Sequence, residues 1–345
     1  MYDFITIGGT TRDVSFFTDQ GVLLNNRRDI LRQKVLAFES GAKIKVDRFY
    51  YSYGGGAANA AVCLTNFGFR TACLAPVGDD HDGRLIMKNL RERGIATDLL
   101  QVIRKEESSS SFILIAPSGE RIIFAQRAAN TRMKIGRSAL AALKKTNNVY
   151  IASLAGDWLG NLRQIFSAIG HNSHHIFWNP GMTQYLGGVK PIAGFLKKTT
   201  VLASNKDEAL QLVVASPEYR HLSRNFLDRE ENLIKIIHGF GPKIVVLTLG
   251  GDGVIAYDGN KIYRRGIIKE KKRVDTTGIG DAFNSSFAAG LTMYEGDIDR
   301  ALGLSLRNAA AKVTHLGAQN GLLRLKRGPR RFAKRRTNIV STRNL

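Results

Sequence analysis

A doubly wound α/β fold, a mostly parallel sheet covered by helices with a small β-sheet lid, is predicted by three features of this sequence. From residue 137 onward, short apolar strands alternate with helical segments. Glycine turns close several of those strands at their carboxyl ends, where open sheets of this kind collect ligands. Residues 111–116 and 120–124 flank Pro117-Ser118-Gly119 and read as a hairpin outside that alternation. With the alternating stretch at residues 43–46, the hairpin predicts a second sheet too thin to fold alone. Such a sheet serves as a cleft lid or a dimer contact.

Composition narrows the class. An apolar fraction of 43% with 35 glycines suits a globular enzyme and excludes disorder. No run approaches the ~18 apolar residues of a membrane span, and Asp3 stands where a secretory signal carries bases, so a cytoplasmic protein is expected. Cys63 and Cys73, each among apolar neighbours, read as buried thiols and not as a disulfide or metal pair. The formal charge is +22; residues 322–345 hold nine Lys and Arg and no acid, leaving +13 for the rest. The division expected is a kinase-like domain over 1–323, lid strands from about 14–53 and 108–126, and a basic, flexible tail over 324–345. That tail suits contact with nucleic acid or an anionic surface, although a merely solvated tail is the plainer reading.

The elements follow in order. Residues 4–7 are a short buried strand ending at Gly8-Gly9, and Asp13 lies just past it, placed to accept bonds from two hydroxyls. A loop or cap aspartate is the other reading of Asp13. Gly54-Gly55-Gly56 allow a ligand close to the backbone, and Asn59 falls on the first turn of an apolar helix that stops at Gly68. Residues 71–77 read as a strand, 82–93 as a helix ending at Gly94, and 149–153, 175–178, 200–203 and 243–249 as further strands. Asn205 caps the next helix, and Glu208 lies on the same face; the pair can hold waters around Mg²⁺ or be a plain cap. Thr248, Gly250 and Gly253 belong to a glycine turn against which a nucleotide can lie. His171, His174 and His175 read as surface histidines, lacking nearby Cys or Glu partners for a metal. No Gly-x-x-x-x-Gly-Lys-Ser/Thr run exists, which excludes a P-loop enzyme.

The chemistry concentrates in residues 274–283, Val-Asp-Thr-Thr-Gly-Ile-Gly-Asp-Ala-Phe, followed by a small-residue helix. A glycine turn at a helix start leaves N–H groups pointing outward, suited to a phosphate. Asp281 at that start can take a proton from a hydroxyl beside the bound anion. This is the minimum needed to move a phosphoryl group onto an alcohol; in isolation it also reads as an acidic cap.

Taken together, the glycine run with Asn59, Ala61, Gly68 and Gly78, and the stretch from Asp275 to Asp281, resemble the two motifs of the ribokinase (PfkB) family of sugar and nucleoside kinases. The likeness covers about residues 3–323. It implies Asp281 as catalytic base and Gly278, Ile279 and Gly280 as the anion hole for the γ-phosphoryl of ATP. It implies that Asp13, Gly54, Gly55 and Asn59 hold the acceptor, and that Asn205, Thr248, Gly250, Gly253 and Asn308 lie beside ATP. Glu208 becomes a Mg²⁺ residue acting through water, and Asp275 and Thr277 candidates for a monovalent cation such as K⁺. Gly56 stands where ribokinases proper carry lysine, which argues against ribose as the acceptor. The expected activity is ATP-dependent phosphorylation of a small sugar or sugar derivative, with a nucleoside the alternative and a silent nucleic-acid binder a third reading. A homodimer through the lid is compatible with this pattern.

Overall fold

The computed structural model describes residues 1–25, 34–115, 121–169, 174–270, 272–325 and 339–340. Its main sheet has eight strands in the order Ile262–Arg265, Val254–Tyr257, Ile244–Thr248, Val201–Asn205, His175–Trp178, Asn148–Ile151, Phe4–Ile7, Thr71–Leu74. The six from Ile244–Thr248 to Thr71–Leu74 run parallel, and the other two are added antiparallel at one edge. Strands buried on both faces need apolar side chains on both, and Phe4-Ile-Thr-Ile supplies them by alternation. Phe4 packs with the helices Gly56–Asn66, Ile279–Met293 and Ile298–Val313 on one face. Ile5 and Ile7 pack with Trp158–Ile169, Lys206–Ala215 and Glu230–Gly239 on the other. Cys63 and Cys73 are both buried and unpaired.

A second sheet of four strands, Arg121–Gln126, Ser110–Ile115, Thr11–Phe17 and Arg48–Gly54, stands apart from the first. Ser110–Ile115 pairs with Arg121–Gln126 as the expected hairpin, whose turn at 117–119 lies outside the described residues. Residues 43–46 are not a strand of this sheet. Arg48–Gly54 takes the position beside Thr11–Phe17, and Val46 in the connection is 45% exposed, so local alternation there found no partner strand. Val22–Asn25 and Lys34–Ala37 form a separate hairpin. The strand expected over 71–77 divides: its first part joins the main sheet, while Pro76–Gly78 peels off to pair with Gln101–Ile103. Asp13 is a strand residue of the second sheet, set between Ser52 and Ser111, and so is neither a loop nor a cap residue. Beyond Leu323, Arg324–Leu325 pairs with Ile339–Val340, while 326–338 and 341–345 lie outside the described residues, as does His171. Among the described residues no helix is long and apolar enough to cross a membrane.

Candidate active site

The carboxyl ends of the parallel strands, the starts of three helices and the underside of the second sheet enclose a cleft of about 320 Å³. Asp13, Gly55, Asn59, Asn205, Glu208, Thr248, Thr277, Gly278, Gly280 and Asp281, distant in sequence, meet on its walls. A larger hollow of about 550 Å³, beside Leu99, Gln101, Arg132 and Ala139, contains none of the residues assigned above to the base, anion hole, acceptor, nucleotide or cations.

Gly278 caps the Ile279–Met293 helix in the left-handed region at φ 74°, and a Cβ there would lie 2.5 Å from that of Ala318. Glycine is therefore required twice over, by conformation and by space. The Ile279 N–H donates to the Thr276 carbonyl at 3.3 Å and Ile279 does not line the cleft. That leaves the N–H groups of Gly280 and Asp281 as the helix-start donors. Asp281 accepts from Asn59 Nδ2 at 2.7 Å, while Asn59 Oδ1 accepts from Gln319 Nε2 at 3.1 Å and Gln319 Oε1 from Asn89 Nδ2 at 2.9 Å. This relay fixes which Asn59 atom faces Asp281. Burial raises the Asp281 carboxyl above the ordinary range; the bond from Asn59 and the nearby Arg121 guanidinium pull it back.

Asp13 is 3% exposed and accepts from Thr11 Oγ1 at 2.7 Å. Burial pushes its carboxyl up to about 6, against hydrogen bonds from Thr11 and Ser111 and with the charges of Asp281 and Asp275 adding to the rise. Gly54 does not line the cleft but makes room for this carboxylate: a Cβ on it would fall 2.0 Å from Asp13 Oδ2. Gly55, at φ 91°, lies so close to the Gly9 carbonyl that a Cβ would approach it to 2.4 Å.

On the opposite wall Asn205 and Glu208 form a reciprocal capping box. Glu208 N donates to Asn205 Oδ1 at 2.8 Å, and Asn205 N to Glu208 Oε2 at 3.0 Å. Burial pushes the Glu208 carboxyl up to about 7, with Asp281 and Asp207 adding to the rise and the Asn205 N–H opposing it. Among the described residues no cluster of three or more His, Cys, Asp or Glu is placed to hold a metal ion. A single cleft carboxylate nevertheless suits Mg²⁺, which keeps most of its waters and shares its remaining sites with substrate phosphates.

Asn308, expected beside the nucleotide, is fully buried in the core instead. Its Nδ2 donates to Ser286 Oγ at 2.7 Å and its Oδ1 accepts from Leu323 N at 2.7 Å, so both polar atoms are committed to folding. Gly250 and Gly253 frame a 3₁₀ turn, Gly250–Asp252, that does not line the cleft. The oxygens of Asp275, named with Thr277 as a candidate for a monovalent cation, are already engaged within the chain. Asp275 Oδ1 accepts from Thr277 N at 2.7 Å, its Oδ2 from Gly317 N at 2.8 Å, and Lys312 Nζ bonds the Asp275 carbonyl at 2.9 Å. Sequence reasoning missed Asn179, Ser111, Ile113, Ile123 and Asn284 on the cleft wall. Isolated polar or apolar residues carry no motif, and only their placement marks them. The Asn284 Oδ1 and Thr277 Oγ1 atoms are buried without a hydrogen-bond partner among the described residues.

The sequence profile described as pfkB family carbohydrate kinase matches residues 27–324. A ribokinase of Bacillus subtilis is 29% identical over 271 residues, covering 78% of this chain and 84% of that protein. A nucleoside kinase of Methanothermobacter thermautotrophicus is 24% identical over 72% of this chain and 74% of its own length. Among solved structures, the ribokinase of Cryptococcus neoformans in complex with ADP superposes with a TM-score of 0.75 at 21% identity, over 93% of this chain and 97% of that one. At that identity the superposition speaks for the ribokinase fold alone.

Proposed function

We propose that this chain, which belongs to the pfkB family of carbohydrate kinases and is an ATP-dependent carbohydrate kinase, acts on a hydroxyl of a small uncharged sugar or sugar derivative. The observation that carries the acceptor class is the composition of the cleft wall. Among the described residues that line it none is aromatic, whereas a nucleobase asks for a flat aromatic or apolar slot. Phe49 and Tyr51, which could have furnished one, are 63% and 53% exposed on the second sheet. A sugar phosphate would ask for two or more cations near Asp13. Among the described residues Arg121 is the one cation that lines the cleft; Arg12 stacks on Tyr51 and Tyr53, and Arg132 pairs with Glu106.

In this reading the Asp13 carboxylate, Asn59 and the Gly55 backbone orient the acceptor so that one hydroxyl faces Asp281. Asp281 takes the hydroxyl proton, the hydroxyl oxygen bonds the γ-phosphorus, and the bond to the bridging oxygen of ADP breaks. A carboxyl raised by burial is the better base for this step. The helix-start N–H groups beyond Gly278 receive the charge on the transferred group, and Arg121, bonded to Thr276 Oγ1, stands beside them. Glu208 would hold Mg²⁺ through water, and the ion would neutralise phosphate charge when bound with the nucleotide. Thr248 and Asn205 serve the nucleotide side. The test is ADP release from MgATP with sugars, nucleosides and sugar phosphates, beside Asp281→Asn. Turnover with neutral sugars that collapses in the variant supports this reading; turnover only with nucleosides overturns the acceptor class.

A further inference from the structure

Behind the glycine turn, on the side away from the cleft, a lysine is wholly enclosed. Lys312 lies in the last turn of the Ile298–Val313 helix and is 0% exposed. A lone ammonium in such a place costs too much to persist unless oxygens surround it. Here they do. Nζ donates to the carbonyls of Asp275 at 2.9 Å and His315 at 3.1 Å, and stands 3.6 Å from Asp275 Oδ2. Two carbonyls and a carboxylate around one positive centre make a cation site, filled from within the chain.

The site is joined to the turn on both sides. The Asp275 carboxylate accepts from Thr277 N and Gly317 N, and the N–H groups of Val274 and Asp275 both donate to the Val313 carbonyl, at 2.8 and 3.2 Å. One residue beyond Gly317, Ala318 backs Gly278. The ammonium therefore holds the loop that enters the turn against the segment that supports it, and adds a positive charge behind the helix-start donors. Of the two residues whose carbonyls hold the ammonium, Asp275 is, with Thr277, the sequence's candidate for K⁺, and His315 is not.

We propose that the Lys312 ammonium is a tethered monovalent cation, and that this kinase accordingly binds nucleotide and turns over without potassium. Lys312 is a positioning residue here, acting through Asp275 and the turn. Its effect on nucleotide rests on reading the helix-start N–H groups of Gly280 and Asp281 as the anion hole; its effect on folding does not. Burial lowers the Lys312 pKa to about 8, with Asp275 opposing the fall, so it is still charged at neutral pH.

The test uses the full chain in chloride salts of potassium, ammonium and tetramethylammonium at equal ionic strength. It reads the thermal midpoint and the affinity for the Mg²⁺ complex of a non-hydrolysable ATP analogue. For the wild type both should agree among the three salts, the affinity within about twofold. A saturable rise of the wild-type midpoint in potassium alone would reveal a vacant ion site and overturn the proposal. Lys312→Ala should melt lower and bind the analogue about 10-fold more weakly in tetramethylammonium, recovering in potassium or ammonium. Lys312→Met, which fills the space, should not recover. Equal loss in both variants with no discrimination among salts would make Lys312 a packing residue only and defeat the idea. Should Lys312→Ala fail to fold, the wild-type comparison alone decides. If midpoints follow the expectation while nucleotide affinity does not respond, the cation stands and the anion-hole reading falls.

Discussion

Asp281 is held between opposing influences, burial raising its affinity for a proton and Asn59 with Arg121 lowering it. That balance suits a group that must be ionised before the reaction and protonated during it. Asp281→Asn keeps the shape and the bond to Asn59 within reach but loses the base. We expect kcat to fall by about 10²–10⁴-fold with little change in KM for ATP, measured by initial rates. Asp13 makes a prediction of the opposite kind, about stability. Folded, it keeps its proton up to about pH 6; unfolded, it gives it up near 3.8. Its contribution is therefore fully present below pH 3.8 and lost as the pH rises through about 6. The loss amounts to about 3 kcal/mol at most. Asp13→Asn lacks this loss, so urea midpoints of the two proteins should diverge across that window, the variant gaining as the pH rises. Parallel curves would show that Asp13 is not buried as a charge.

At the scale of the element, the start of the Ile279–Met293 helix separates two glycines by their reasons. Gly278 needs its left-handed φ and has Ala318 against it, whereas no atom lies within 4 Å of a Cβ built on Gly280. Gly278→Ala should cost about 1–2 kcal/mol of stability from backbone conformation alone. It should also cost about 10²–10³-fold in kcat as the turn shifts away from the anion. Gly280→Ala should leave the thermal midpoint near that of the wild type and raise KM for ATP, since its methyl enters the cleft. Calorimetry beside initial rates separates the two, and equal melting losses would contradict it. The same helix start was readable in the sequence because Gly-x-Gly-Asp before an apolar helix is a local pattern with a local cause. The main-sheet strands were readable for a similar reason, as short apolar runs buried on both faces. What escaped was decided by contacts distant in sequence. Residues 43–46 alternate well but meet no partner, and Asn308 looks like a polar ligand until Ser286 and Leu323 consume its atoms. Lys312 reads as an ordinary cation at a helix C-terminus. Only the fold shows that it faces inward to Asp275 and His315.

For the molecule as a whole, the described cleft lining falls between Thr11 and Asn284, and the eight-stranded sheet is complete at Arg265. Catalysis is thereby separated along the chain from the strongest run of charge. Ending the protein after Leu325 removes eight Lys and Arg and no acid, and lowers the formal charge from +22 to +14. The core contacts of Leu322 and Leu323 and the bond from Leu323 N to Asn308 remain. At saturating MgATP, turnover of a neutral sugar should therefore change by no more than about twofold, because the lost charge acts on the encounter with the anionic nucleotide and leaves the neutral acceptor unaffected. Retention on heparin should fall, and any binding to duplex DNA should weaken with a shallower dependence on salt. Should the shortened chain bind DNA with an unchanged salt slope, the body charge of +14 is the cause and the tail has no such role. Should it lose turnover while melting as before, the cleft draws on residues beyond Leu325, and the separation of catalysis from charge is wrong.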